Sequence, residues 1–157
     1  MERGGIARLL VEVVSALVVL LGLVFVGLEL RQNTNAVQAA TFQGLTDATN
    51  DAVLLLAGDA ELARIFSKGV ADPTSLDENE YVRFTLWNRT FWVRMQNAYS
   101  QWHRGTLTDE DWKLYKSTIC SNPHHQSMEL TLHEHVFVLN DEFRRYIKSC
   151  WAEKSVQ

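Results

Sequence analysis

The stretch SALVVLLGLVFVGLELRQNTNAVQAATFQ, Ser15 to Gln43, is apolar as far as Leu28 and polar from Glu29 onward, with no proline at the change. A helical run that changes character without meeting a breaker predicts a transmembrane helix that continues into water as a stalk. Upstream, only Arg8 and Glu12 are charged between Ile6 and Leu28. At about 1.5 Å per residue that run reaches about 35 Å, enough for a hydrocarbon layer roughly 30 Å thick. Arg8 and Glu12 stand four apart, so on a helix they share a face and pair near one membrane interface. A cleaved signal peptide competes with this reading, because MERGGIAR has the basic character of an n-region. Against it, the apolar run is longer than an ordinary h-region, and the nearest small-residue site, AVQAA, lies well beyond its end. The expectation is an uncleaved anchor over residues 1–30 and a soluble helical bundle over 31–157, of which 31–57 form the stalk.

Arg3 and Arg8 precede the apolar run, whereas Arg31 follows it and the next basic residue is Arg64. This imbalance predicts a single-pass protein with a cytoplasmic N-terminus and an extracytoplasmic bundle. In that compartment Cys120 and Cys150 have the choice of a disulfide, closing a loop of about 30 residues, or of remaining two half-buried thiols on separate helices. The thiol reading is preferred, because nothing in the sequence brings their Cα atoms within bonding reach.

The chain has 157 residues, a net charge of −4, two prolines and eight glycines. Few breakers favour long helices, so the fold class is all-α, a small antiparallel bundle following the stalk. A negative charge gives no support to nucleic-acid binding. The stalk is expected to pack through Val37, Leu45, Ala48, Ala52 and Leu55, flanked by Ala40 and Phe42. Gly58 stops it, and Asp59 caps a short helix that ends at Gly69. VADPTSL reads as a loop, and Ser75 with Glu78 as a capping box opening a third helix that runs to about His103, with Gly105 past its end. That helix carries one stripe of Tyr81, Phe84, Phe91, Met95, Ala98 and Trp102, and a second of Val82, Leu86 and Val93. Two stripes predict a central helix touching more than one neighbour. Thr108 caps a fourth helix, with Leu107 stapled onto Trp112 and Pro123 at its end. The last segment has a seam of Leu132, Val136, Leu139, Phe143, Tyr146 and Cys150. Asn140, followed by two acids, is a candidate cap for a fresh helix there.

Four segments in this order, VGLELRQNTNAVQAATFQ, then LTDATNDAVLLLAGDAELARIFSKGVADPTSLDENEYVRF, then YSQWHRGTLTDEDWKLYK, and finally NDEFRRYI, span about Leu23 to Ile147. In that order they resemble a widespread group of small bacterial membrane-anchored proteins. The resemblance implies a bacterial source, a single anchor in the inner (cytoplasmic) membrane and a helical architecture, and it carries over no catalytic residue.

His125, Glu129 and His133 fall at i, i+4 and i+8 and would line one helical face as weak candidate metal ligands. They equally continue the packing seam backwards from Leu132, and the structural role is preferred. Glu-x-x-His pairs, His-Glu-x-x-His, Cys-x-x-Cys, Gly-x-Ser-x-Gly and phosphate-cradling loops are all missing from the sequence. No enzymatic activity and no cofactor are expected. Asn88 to Thr90 matches a glycosylation acceptor but falls mid-helix, and is read as chance. Arg83, Arg89, Arg94 and Arg104 alternate with aromatics, which suits either an anionic ligand beside Trp87 and Trp92 or, preferably, ordinary pairing with neighbouring acids. The expected function is a single-pass membrane protein with an interaction domain, bound to lipid and to copies of itself or another membrane protein. The alternative is a small-molecule-binding module with a pocket near Trp87, Trp92 and Trp102.

Overall fold

The computed structural model describes residues 3–121 and 139–154. Five α-helices and one 3-10 turn occupy them, and no strand occurs among the described residues. The helices are α1, Arg3–Gly58; α2, Ala60–Ala71; α3, Glu78–His103; α4, Asp109–Cys120; and α5, Asp141–Lys154, with the turn at Pro73–Ser75 between α2 and α3. The all-α class read from the sequence is the class observed. The chain divides into two compact units, Met1–Ala39 and Ala40–Gln157, the boundary falling inside α1.

The first unit consists of the N-terminal part of α1. Every leucine, valine and phenylalanine described between Leu10 and Leu30 is 49% to 68% exposed. Consecutive residues point in directions about 100° apart, so the apolar surface runs round the whole helix rather than along one stripe. Among the described residues α1 is the one helix long and apolar enough to cross a membrane.

In the second unit, the covered face of α1 is Phe42, Leu45, Thr49, Ala52 and Leu56, with Thr46 beside it. This corrects the expected stripe, since Ala48 and Leu55 are exposed. The difference comes from the threonines: Thr49 Oγ1 donates to the Leu45 carbonyl at 2.8 Å. A hydroxyl satisfied within its own helix lets the residue face inward. Asp59 caps α2 as expected, its carboxylate accepting the Leu62 N–H at 2.9 Å. The helix then passes through Gly69 to Ala71 rather than ending at the glycine. The reason is spatial: a Cβ at Gly69 would lie 2.6 Å from Phe84 Cδ2, so the bare backbone is what admits that ring.

The helix start after the proline is also shifted. Asp72 caps the 3-10 turn and accepts the Ser75 hydroxyl through its carbonyl, at 2.7 Å. The capping box belongs to Asp77 and Glu80: Glu80 N–H donates to Asp77 at 2.9 Å and Asp77 N–H to Glu80 at 3.1 Å. Along α3, Phe84, Phe91, Met95 and Ala98 are buried as read, joined by Trp92 and Tyr99. The second stripe is not buried, Val82, Leu86 and Val93 being 50%, 51% and 50% exposed. Thus α3 packs along one broad side, against α2 near its start and α4 near its end. Gly105, at φ +74°, closes α3 with its N–H on the Trp102 carbonyl at 3.0 Å. Left-handed backbone suits glycine there.

Thr108 caps α4, and Leu107 and Trp112 are both in the core. Pro123, Leu132 and Val136 lie outside the described residues. Asn140 does begin a new helix: its Oδ1 accepts the Phe143 N–H and its N–H donates to Gln96 of α3, both at 2.7 Å. Phe143 and Ile147 are fully buried, and the Trp151 indole donates to the Ile119 carbonyl at 3.1 Å, satisfying a terminal group of α4. Each fully buried large side chain of this core contributes roughly 1.5–3 kcal/mol.

Candidate functional site

Within the second unit, a groove of about 500 Å³ lies among α1, α3 and α4. Its apolar walls come from Phe42, Val53, Trp87, Phe91 and Leu114, and its polar groups include Thr46, Thr49, Arg94 and Tyr115. Arg94 reaches it because α3 buries Phe91, Met95 and Ala98 on the adjoining side. Its Nη1 donates to the Ala48 carbonyl of α1 at 2.8 Å. Its Nε is covered and has no acceptor among the described residues. Burial pushes the guanidinium below its usual range, the phenol of Tyr115 being the one group that opposes the shift. Burial likewise raises the Tyr115 phenol, against a hydrogen bond with Thr46. At neutral pH the groove therefore holds one positive charge with no carboxylate partner among the described residues.

The other arginines differ. Arg83 pairs with Asp59 at 3.4 Å, and Arg89 and Arg104 are exposed. The three tryptophans expected to share a pocket are separated in role. Trp87 lines the groove and packs on Phe66 at 4.4 Å; Trp92 is 1% exposed in the core. Trp102 stacks on Trp112 at 5.2 Å and donates to Asp109 at 2.7 Å. Asn88 is fully buried, so the folded chain offers no glycosylation acceptor at that position.

Arg8 and Glu12 pair as expected, at 3.2 Å, with side chains 84% and 65% exposed. Cys120 and Cys150 are joined in a disulfide, with Cα atoms 5.1 Å apart. This overturns the preference for two thiols; the packing of α5 against α4 supplies the approach that sequence spacing does not reveal. His125, Glu129 and His133 lie outside the described residues. Among the described residues no cluster of three metal-ligating side chains occurs.

Glu80 was not singled out by the sequence reading. It accepts Arg64 Nη2 and Lys68 Nζ, both at 2.6 Å, while its own backbone and side chain complete the Asp77 capping box. Hydrogen bonds from Lys68 and Arg64, with the Asp77 N–H, hold its carboxyl at about 2. The sequence signal is Asp-x-x-Glu at residues 77–80, two positions past the Ser75–Glu78 pair.

No protein-family model, curated protein or solved structure matches the chain.

Proposed function

We propose that this chain is a single-pass protein of the bacterial inner membrane whose helical unit makes protein–protein contacts, with copies of itself or as an accessory subunit of a membrane complex. The observation that carries the reading is the apolar circumference of α1 from Leu10 to Leu30, exposed on every side. In water a soluble monomer rarely shows a contiguous apolar patch above a few hundred Å². Lipid removes that cost, and a helix satisfies its own backbone there.

Two features support an extracytoplasmic unit. Basic residues are more frequent before the apolar run than just after it, and a disulfide between Cys120 and Cys150 suits an oxidising compartment. Partner contacts are supported by the Arg8–Glu12 pair, which is costly beside lipid and would be sheltered by a second helix. Catalysis and a cofactor form no part of the reading. Chemical cross-linking followed by native mass spectrometry in mild detergent tests it. A defined oligomer or a retained membrane partner is the expected result, and a clean monomer with nothing retained would contradict the interaction role.

A further inference from the structure

We propose that the groove among α1, α3 and α4 is a binding site for a small organic carboxylate with an apolar body. Its charged end meets Arg94, and its body lies against Phe42, Val53, Trp87 and Leu114. Size comes first: about 500 Å³ falls within the range that holds small ligands. The lining then sets the class. Val53 and Leu114 are 57% and 60% exposed, so part of the wall is apolar surface that a ligand would cover.

Charge decides the sign. Arg94 is half-buried without gaining a carboxylate among the described residues, and its one hydrogen bond to them goes to a neutral backbone carbonyl. A half-buried guanidinium of this kind is improved most by an anion that accepts charge-assisted hydrogen bonds. Tyr115 interacts with Arg94 and hydrogen-bonds Thr46, which gathers hydroxyls beside the charge, and the other polar residues of the lining, Thr49, Asn50, Ser117 and Thr118, are neutral. One negative group on an apolar body is thus the chemistry that fits, and it is available either from free fatty acids of the membrane or from soluble aromatic acids.

The inference rests on the Ala40–Gln157 unit alone and stands whether or not α1 enters lipid. Full-length protein in phosphatidylcholine nanodiscs is titrated with decanoate, 3-phenylpropionate and 1-decanol, with tryptophan fluorescence and calorimetry as readouts and empty nanodiscs subtracted. Were the chain to prove soluble without lipid, the same titration would run in buffer, which separates failure of this inference from failure of the anchor. Saturable one-to-one binding of either acid is expected, with decanoate pointing to the acyl source and phenylpropionate to the soluble one. Arg94→Gln should weaken that binding roughly ten- to a hundredfold, the usual worth of a charge-assisted bond, and leave decanol unchanged. If that variant fails to fold, acid against alcohol on the unaltered chain still decides, the acid being expected to bind more tightly. No saturable binding of either acid, equal affinity for acid and alcohol, or indifference to Arg94→Gln would each overturn the assignment.

Discussion

Two glycines, each replaced by alanine, should move stability in opposite directions. Gly44 lies within α1 with nothing within 4 Å of the place a Cβ would occupy. There the substitution gains helix propensity alone, about 1 kcal/mol. Gly69 lies within α2, and its Cβ would stand 2.6, 2.7 and 2.8 Å from three carbons of the Phe84 ring. Carbon pairs are comfortable at about 3.5–4.0 Å, so the ring must retreat by about 1 Å. Phe84 is 1% exposed and has nowhere to go. Overpacking of this kind costs about 1–3 kcal/mol, and contacts as short as 2.6 Å place Gly69 toward the upper end, so that the propensity gain is outweighed and a net loss of up to about 2 kcal/mol remains. For a cooperative unit of about 120 residues, 1 kcal/mol moves Tm by about 4 °C. All five tryptophans belong to the Ala40–Gln157 unit, so thermal melts followed by tryptophan fluorescence report on that unit selectively. Gly44→Ala should melt higher and Gly69→Ala lower, and adding Phe84→Leu to Gly69→Ala should cost less than Phe84→Leu costs alone. Two shifts of the same sign, or additive costs at Gly69 and Phe84, would refute the packing argument.

Other perturbations test separate parts of the structure. Glu80 has a folded pKa of about 2, below its unfolded value near 4.5, so its contribution is present above the unfolded value and is lost as pH falls through about 2. Urea midpoints should therefore decline below about pH 5, and Glu80→Gln should flatten that part of the profile. An unchanged acid limb would remove Glu80 as its source. Reducing the Cys120–Cys150 bond, which spans a separation of 30 residues, should lower stability by about 3–4 kcal/mol in the chain-entropy model. Denaturation with and without reductant measures this, and coincident curves would contradict a structural disulfide.

What could be read from the sequence, and what could not, divides along physical lines. Caps were legible wherever one acceptor side chain stood at a boundary, as with Asp59, Thr108 and Asn140. The capping box was misplaced because Ser75 and Asp77 offer the same chemistry two residues apart, and Asp72 with Pro73 had already claimed the first as a turn. Hydrophobic periodicity located the buried side of α3 but also promoted Val82, Leu86 and Val93, which stay about half exposed. On α1 it overlooked Thr49, whose hydroxyl bonds its own helix backbone, and Thr46, whose hydroxyl bonds Tyr115. The groove was only partly foreseen, at Trp87, because an uncompensated charge is a property of neighbours and not of spacing. The disulfide goes against the sequence expectation for a like reason: the 5.1 Å approach of Cys120 and Cys150 is made by helix packing.

The central claim is that the apolar part of α1 resides in lipid. With both native cysteines bonded to each other, a single cysteine at Val19 or at Asn35 can be labelled with an environment-sensitive fluorophore in reconstituted full-length protein. Phosphatidylcholine brominated at mid-chain should strongly quench the label at position 19 and spare the one at position 35, and the protein should require detergent for extraction. Equal, weak quenching at both positions, or a chain that remains in the aqueous fraction without detergent, would contradict the account.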